Sequence, residues 1–447
     1  MKNDLTNNVL QYAEESNPGY EAFHELSKIG NPVKVIDYKV FEYLCQTEHI
    51  IILGQIPYIY TQGVYRADIN GAILKSKIRS LVYPDLRTAN VEDRIYKLFL
   101  NTSELQVTDD QINKYPLSWI NFKNGMYDTK NRVLLEHDPR YLAINQIPHE
   151  FYPNDSLQGM CIENWLQFIT PDAEDREMLL QYCGYCMTRD TQQQVFLILF
   201  GTGGSGKSTL IRLLEYVIGM ENISNVSLKE LSGQRFASYD LHGKLVNSCA
   251  DLETGALEDP SMIKKLLGED SIRGEAKGKQ AFSFKTYCKL IFSTNELPII
   301  LSEKTNGFYR RLLVLTMNKV PEVVKPDFLE DLLNEANYFI YLCVDALGRM
   351  YEKGSIVHAA SSIKAVQELR EDSDSVEAWI NSNCVIVPNA SCDRRMLYAD
   401  YEQYCQDAGR TALQKPNFYK SLKLKRYKDK ILHGYTHIVG LQIKSDR

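Results

Sequence analysis

The nine residues Gly201-Thr-Gly-Gly-Ser-Gly-Lys-Ser-Thr209 constrain this chain more than any other segment. An apolar run, Val195–Phe200, precedes them, and an amphipathic run, Leu210–Ile218, follows them. Strand, glycine-rich loop and helix form the context that a phosphate-binding loop requires. Glycines let successive backbone N–H groups face one anion, and the helix N-terminus adds about half a unit of positive charge behind them. The segment therefore predicts a nucleoside triphosphate site, and a chance glycine turn before a helix is the alternative.

The loop predicts two cofactors, ATP and Mg²⁺. We expect the Lys207 ammonium to reach the β and γ phosphates and the Ser208 hydroxyl to hold Mg²⁺. The predicted nucleotide-binding residues are Gly201, Thr202, Gly203, Gly204, Ser205, Gly206, Lys207, Ser208 and Thr209.

Length and charge limit the alternatives. The chain has 447 residues, which at roughly 100–200 residues per domain predicts two to four domains. The net charge is −6, so a nucleic-acid site would have to be a local basic patch. No apolar run approaches the ~20 residues of a membrane span, and the N-terminus lacks the apolar core of a signal peptide. We therefore expect a cytoplasmic protein without membrane contact.

The ten cysteines are scattered, and Cys183 and Cys186 form the one CxxC pair. A zinc site would need a second ligand pair at suitable spacing, and a redox motif would need a thioredoxin-like context. Neither is evident, so buried free thiols are the favoured interpretation.

A second apolar run, beginning at Gly243, ends in the acids Asp251 and Glu253. In ATPases one such carboxylate holds Mg²⁺, usually through water, and another can polarise the attacking water. We assign Asp251 to the metal and Glu253 to the base. The alternative is the end of a surface strand with two solvated acids.

The segment from Asp270 to Phe284 predicts a β-hairpin, with Arg273 on one arm and Lys277 and Lys279 at the tip. These basic side chains either contact nucleic acid or form a solvated tip. Asn295 follows the next buried strand, where an amide can orient the hydrolytic water or contact the γ phosphate. A capping or Asx-turn role is its alternative.

Arg310 and Arg311 directly precede the apolar run Leu312–Thr316. In a ring of subunits, one of them could enter the neighbouring site and stabilise transition-state charge, an effect of about 10³–10⁵ in rate in other phosphoryl-transfer systems. An Arg-Arg pair alone favours a surface role. Its position after the other motifs favours the finger role.

The flanking segments predict accessory domains. Residues 1–155 combine strands rich in aromatic and β-branched residues with helices near 38–45, 73–82 and 91–100. The tyrosines of these strands either stack on nucleic-acid bases or, as we favour, pack in a core. Helices over 321–370 predict a lid. Beyond an acidic linker at 371–375, three helices and a terminal hairpin predict a winged helix with a basic face. That face either contacts DNA, as we favour, or is a solvated surface without a partner. Its predicted DNA contacts are Lys415, Lys420, Lys423, Lys425 and Arg426.

The order of these motifs resembles that of superfamily-three helicases. The similarity is strongest to the poxvirus- and phage-type primase–helicase group, through Leu267–Ile272 and Lys289–Pro298. The Asn124-Gly125 turn and the Asp138-Pro139 segment resemble the domain that precedes the ATPase in that group. Within it, the chain looks most like the Rep and Cch replication helicases of staphylococcal mobile islands. The resemblance covers about residues 35 to 320, where those motifs begin and end.

The resemblance implies a multidomain α/β protein with an AAA+ P-loop ATPase core, an N-terminal α+β accessory domain and a C-terminal winged-helix-like domain. The expected boundaries are 1–155 for the collar, 156–325 for the ATPase, 326–370 for the helical lid and 371–447 for the DNA-binding domain. It also implies a ring, commonly hexameric, with Lys277 and Lys279 lining its pore, Asn295 as sensor and Arg311 as the finger beside Arg310. No primase catalytic module is evident, so primer synthesis is not expected.

The predicted function is an ATP-dependent DNA helicase that initiates replication of a mobile genetic element. Its expected partners are single-stranded and duplex DNA, including a replication origin, and further copies of itself. Two alternatives stay open: a duplex DNA translocase, and an ATP-switched initiator that binds or melts an origin without processive unwinding. A small-molecule kinase is disfavoured, because an acceptor-site lid is not evident and the sensor and finger residues would be idle.

Overall fold

The computed structural model describes residues 19–153, 158–234, 236–250, 261–268, 270–275, 282–298, 306–323, 325–409, 412–432 and 434–444. Within those ranges no helix is both long enough and apolar enough to cross a membrane.

The first region is a small α+β unit. Its four-stranded sheet has the order β5-β4-β3-β6, and its helices pack on that sheet through Val40, Leu74 and Phe99, all fully buried. The predicted helices near 38–45, 73–82 and 91–100 are confirmed, whereas the strand predicted over Tyr58–Tyr65 is divided into two paired strands. Tyr65 lies in a core rather than on the surface. The elements are β1 His24–Leu26, β2 Pro32–Val35, α1 Asp37–Thr47, β3 Ile50–Leu53, β4 Ile56–Thr61, β5 Val64–Ala67, α2 Ala72–Leu81, α3 Ala89–Asn101 and β6 Gln106–Val107.

A three-stranded antiparallel meander follows. It consists of β7 Trp119–Phe122, β8 Gly125–Asp128 and β9 Val133–Leu135. The predicted turn at Asn124-Gly125 is confirmed, since Phe122 pairs with Gly125 across it. The meander shares its apolar face with the following α/β unit, because Ile120 and Phe122 belong to the same buried cluster as the helices of that unit.

The central region is an α/β unit around a five-stranded parallel sheet of order β11-β12-β15-β10-β16. Both faces of β10 are buried, and such strands read as continuous apolar runs. The unit comprises α4 Met160–Ile169, α5 Ala173–Cys186, β10 Phe196–Phe200, α6 Lys207–Ile218, β11 Ile223–Ser224, α7 Leu228–Gly233, β12 Val246–Cys249, α8 Ser261–Leu267, β13 Ile272–Gly274, β14 Phe282–Phe284, β15 Lys289–Thr294, α9 Asn306–Tyr309 and β16 Leu312–Thr316. The antiparallel pair β13-β14 confirms the arms of the predicted hairpin.

A buried lysine joins β15 to α5. The ammonium of Lys289 donates to the carbonyls of Tyr287 and Thr188 and lies 4.8 Å from the centre of the Tyr185 ring. Burial lowers the pKa of Lys289 to about 8. Carbonyl oxygens and a π face thus replace water around the ammonium and offset the free-energy cost of burying its charge.

The last region contains a helical segment and a compact C-terminal unit. Its elements are α10 Phe328–Asn334, α11 Ala336–Lys353, α12 Ala360–Ser373, α13 Ser375–Asn383, β17 Cys384–Asp393, α14 Arg394–Asp407, α15 Lys415–Leu424, β18 Lys428–Leu432 and β19 Tyr435–Ile443. Trp379, Tyr401 and Phe418 form the core of the C-terminal unit, under a sheet of order β17-β19-β18. The three predicted helices and the terminal hairpin are present, whereas β17 was not predicted.

The ends of β10 and β16 approach each other closely at Gly201. Gly201 has a φ of 147°, and a Cβ added there would lie 1.9 Å from the carbonyl oxygen of Met317. Gly203, two residues further on, has no atom within 4 Å of such a Cβ. Only one of these two glycines is therefore required by packing.

This difference predicts the outcome of two alanine substitutions. Gly201→Ala should cost the α/β unit about 2 kcal/mol or more, because the new methyl group collides with backbone in a conformation that favours glycine. Gly203→Ala, the matched control, should change stability by less than about 0.5 kcal/mol. Thermal unfolding without nucleotide, followed by circular dichroism, measures both. Equal losses would contradict the packing role of Gly201.

Candidate functional site

The glycine-rich loop leaves β10 after Phe200 and enters α6 at Lys207. Gly204 and Gly206 have φ values of 79° and 95°, which side chains rarely adopt. The loop therefore curls over the N-terminus of α6, the arrangement that directs backbone N–H groups towards an anion. The predicted context of strand, loop and helix is confirmed.

The Lys207 side chain is 8% exposed and turns back over the loop. Its ammonium donates to the carbonyls of Gly201 and Thr202, at 2.7 and 2.8 Å, and to Oδ1 of Asn295 at 2.9 Å. Because β10 and β15 are parallel neighbours, with Phe200 opposite Thr294, their ends meet at one edge of the sheet. The structure thus brings Lys207 and Asn295 together, although 88 residues separate them.

The hydroxyl-bearing residues of the loop lie on different sides. Ser205 is buried, and its Oγ donates to the Thr202 carbonyl at 2.8 Å. Ser208 is exposed in the first turn of α6, and Ser208 and Thr209 both line the cavity in front of the loop. A hard cation prefers oxygen ligands such as a hydroxyl, so the position of Ser208 fits Mg²⁺.

That cavity has a volume of about 1070 Å³. Small-molecule sites usually measure about 300–1,000 Å³, so a nucleoside triphosphate fits inside it. One half is formed by the loop, Ser293 and Asn295. The other half lies between α4 and residues 321–323 and 325–335, where Trp165, Phe168 and Phe328 provide aromatic walls. The sequence predicted the first half and missed the second, because nothing local links α4 to a segment more than 150 residues away.

Glu335 ties the two walls of this second half together. Its carboxylate accepts hydrogen bonds from the backbone N–H groups of Cys161 and Ile162, at 3.2 and 2.8 Å. A carboxylate at a helix N-terminus satisfies unpaired N–H groups and complements the helix dipole. The start of α4 is thereby fixed to the junction of α10 and α11.

Four predicted residues, Asp251, Glu253, Lys277 and Lys279, lie outside the described part of the chain. β12 ends at Cys249 and runs parallel to β15, so the chain leaves the sheet there at the edge that carries the phosphate loop.

Arg273 lies on β13, and its Nε pairs with Glu275 at 2.7 Å. Its side chain is 68% exposed.

Arg310 and Arg311 differ in their surroundings. Arg310 is exposed. The Arg311 guanidinium donates to the Gly307 carbonyl and, at 3.1 Å, to Oε1 of Gln194. Both residues precede β16, which is parallel to β10, so they lie at the opposite edge of the sheet from the phosphate loop. At ~3.3 Å per residue, the length of β10 separates the two edges by roughly 13 Å.

The basic residues in and directly after α15 differ in exposure. Lys420 and Lys423 are exposed, opposite the buried Phe418 and Leu422; Lys423 pairs with Asp429 at 2.8 Å.

Lys425, directly after α15, is partly buried instead. It forms ion pairs with Asp374, at 2.7 Å, and with Glu377. Burial alone would lower the pKa of Lys425, but the hydrogen bonds with these two carboxylates raise it above the ordinary value. Contact between Lys425 and a phosphate would break this network.

The other two predicted DNA contacts are exposed. Lys415 lies 5.3 Å from the centre of the Tyr398 ring, and Arg426 follows the helix. The aromatic residues nearby serve the fold: Phe418 is fully buried, and the Tyr419 hydroxyl donates to the Arg394 carbonyl at 3.2 Å.

Three family descriptions match separate parts of the chain. Residues 65–171 match "D5 N terminal like", residues 199–311 match a family of unknown function, DUF5906, and residues 374–428 match "RFX DNA-binding domain". The second range runs from the end of β10 to Arg311 and so contains the loop, β12, the hairpin and β15. The third contains α13 to α15 and ends where β18 begins.

A protein of Acanthamoeba polyphaga mimivirus that carries the provisional name of a helicase is 27% identical over 213 residues. The alignment covers 44% of this chain and 21% of the viral protein, so the chain spans about a fifth of that relative's length.

Solved structures of the NrS-1 C-terminal region share the fold. Two of them have TM-scores of 0.51 and 0.53, with 14% and 13% identity, and cover 90% of this chain and 98% and 99% of their own. The D5 match and the mimivirus relative together support a relationship with the D5-type replicative helicases.

Proposed function

We propose that this chain is an ATP-dependent DNA helicase that acts in replication initiation. The observation that carries the proposal is the phosphate loop with Lys207 and Asn295 in contact, both lining a nucleotide-sized cavity. The D5 match and the helicase-named relative favour a replicative helicase over the other classes of P-loop enzyme. A role in replicating a mobile genetic element is proposed only from the resemblance to the staphylococcal Rep and Cch helicases.

The sheet order supports an AAA+ core. The loop strand β10 lies between β15 and β16, and β12 and β11 follow on the far side of β15. In this arrangement β12 and β15 end at the sheet edge that carries the loop, and Asn295 directly follows β15. We propose that Asp251 and Glu253, which follow β12 in the sequence, act there too. Side chains from three strands could therefore act on one triphosphate.

Each side chain has a distinct task in hydrolysis. Lys207 exchanges its carbonyl partners in the loop for β and γ phosphate oxygens. Ser208 and Asp251 would hold Mg²⁺, which neutralises charge on the phosphate oxygens when bound. Glu253 takes the proton of the attacking water, and the Asn295 amide orients that water.

The position of the two arginines favours action between subunits. Neither reaches the loop of its own subunit, because both lie at the opposite edge of the sheet. Arg311 is anchored by Gly307 and Gln194, whereas Arg310 is exposed. We therefore assign the trans-acting finger to Arg310 and a positioning role to Arg311, the reverse of the sequence-based assignment. A homo-oligomeric ring, expected to be hexameric, follows from that role.

DNA is proposed to contact two places. Lys277 and Lys279 of the hairpin, with Arg273 on its arm, would grip one strand in the pore. The exposed face of α15, with Lys415, Lys420 and Lys423, would contact duplex DNA together with Arg426 after the helix. The RFX match and the three-helix unit with its terminal hairpin favour this contact. Lys425 is left out of this interface.

The same C-terminal match favours the second candidate, an origin-binding initiator that melts DNA without processive unwinding. Both candidates need ATP and a duplex contact. They differ in whether strand separation continues along the DNA.

Unwinding of a forked duplex tests the proposed function. The wild-type protein should separate the strands with ATP and Mg²⁺, and Lys207→Ala should abolish both unwinding and hydrolysis, because the ammonium no longer reaches the phosphates. ATPase activity is measured in parallel, with a single-stranded tail on each strand in turn. DNA-stimulated hydrolysis without strand separation would favour the initiator, and undiminished hydrolysis by the variant would refute the loop assignment.

Mixing inactive subunits tests the finger. Arg310→Ala should lower the rate of hydrolysis by about 10³-fold or more, and mixing it with Lys207→Ala subunits should restore activity at interfaces where an intact loop meets an intact arginine. Arg311→Ala should instead lower the melting temperature, since its guanidinium holds α9 to the segment before β10. Recovery in mixtures with Arg311→Ala but not with Arg310→Ala would reverse the assignment.

Substitution of Lys420, in α15, and of Lys425, directly after it, distinguishes a role in DNA contact from a role in folding. Lys420→Ala should reduce the slope of log Kd against log salt concentration by about 0.9, the value for one phosphate contact on duplex DNA. Lys425→Ala should leave that slope unchanged but lower the melting temperature, because Asp374 and Glu377 lose their partner. Fluorescence anisotropy with a labelled duplex over a range of salt concentrations measures the slope. Equal slopes for Lys420→Ala and wild type would exclude this face of α15 as a site of phosphate contact.

A further inference from the structure

Trp165 combines a largely buried ring with a hydrogen-bond donor that no group in the described part of the chain uses. It is 6% exposed and lines the cavity in front of the phosphate loop. Within the described ranges, no residue accepts a hydrogen bond from its indole Nε1–H. The Nε1 atom itself keeps access to solvent although the ring is largely buried. A donor that opens onto the cavity is available to a ligand there, and tryptophan N–H groups usually find a partner.

The donor lies where the loop meets the rest of the cavity. A Cβ added to Gly206 would lie 3.6 Å from Nε1 of Trp165. Gly206 directly precedes Lys207 at the N-terminus of α6, so Trp165 stands beside the phosphate site rather than in it. A nucleotide whose phosphates fill the loop must place its sugar next to that site, because the sugar is the group joined to the α phosphate.

The cavity beyond Trp165 suits a base. Phe168 and Phe328 line it, and the rings of Trp165 and Phe328 are 6.4 Å apart in an edge-on arrangement. Flat apolar walls of this kind accept the faces of a nucleobase. Glu335 holds the first turn of α4, so the position of Trp165, one turn further along, is fixed relative to the loop.

We propose that Trp165 is a nucleotide-binding residue and that its indole N–H donates to a ribose hydroxyl of the nucleotide held by the phosphate loop. This inference rests on the proposed function, since it requires a nucleotide in the loop. It adds a contact to the nucleoside, which neither the loop nor the other predicted residues supply. Trp165 acts in binding and takes no part in the transfer of the phosphoryl group.

Binding of ADP and of tripolyphosphate, which lacks a nucleoside, tests the proposal by calorimetry. Trp165→Phe removes the donor and should weaken ADP binding by about fivefold to tenfold, the range of one hydrogen bond, while tripolyphosphate binds as before. The wild type should lose the same factor with either 2′-deoxy-ADP or 3′-deoxy-ADP, and Trp165→Phe should lose nothing further with that analogue. Equal weakening of ADP and tripolyphosphate, or unchanged ADP binding, would overturn the proposal.

Three controls isolate the donor. Replacement of Trp165 by 3-benzothienylalanine exchanges the N–H for sulfur at nearly constant shape, so it should reproduce the loss even if Trp165→Phe disturbs packing; full ADP affinity would overturn the proposal. Trp119→Phe, outside the cavity, should bind ADP like the wild type. Lys207→Ala should weaken both ligands, and if it weakens neither, the phosphate-loop assignment fails instead of the role of Trp165.

Discussion

The parallel pairing of β10 with β15 is the constraint on which the candidate site depends. It places the end of the loop strand beside Asn295, so that the Lys207 ammonium bridges two loop carbonyls and the amide. β16 on the other side of β10 presses the Met317 carbonyl against Gly201. A shift of either neighbour by one residue would turn each buried side chain to the other face and separate these groups.

The sequence predicted the half of the site that depends on local chemistry. Loop glycines, a buried strand before them and a helix after them are contiguous, so their geometry follows from backbone preferences. Asn295 was predicted as well, because a polar residue directly after an apolar strand marks a strand end. The second half of the cavity could not be predicted, since Trp165 and Phe328 read as ordinary core residues. They meet through the packing of α4 against α10.

The surroundings of the charged residues likewise depend partly on local sequence and partly on tertiary packing. Helical periodicity separates Lys420 and Lys423 from Lys425: i, i+3 and i+4 neighbours share a face, and Lys425 lies four residues from the buried Ser421. Counting charges gave one basic patch, whereas the structure divides it into an exposed face and an ion-pair network with Asp374 and Glu377. Arg311 has a tertiary partner that the sequence does not reveal, because Gln194 is 117 residues away.

One helix connects the arginine pair to the C-terminal unit. α12 covers the free edge of the sheet, where the Ser362 hydroxyl accepts the backbone N–H of Val314 at 2.9 Å. Further along the helix, Leu369 packs in the same cluster as Phe308 and Tyr309, directly before Arg310. At the end of α12, Asp374 receives the ammonium of Lys425 from the C-terminal unit. The backbone that carries the proposed finger and the unit that carries the proposed DNA face therefore both contact the C-terminal end of α12, so neither can move far without displacing that helix.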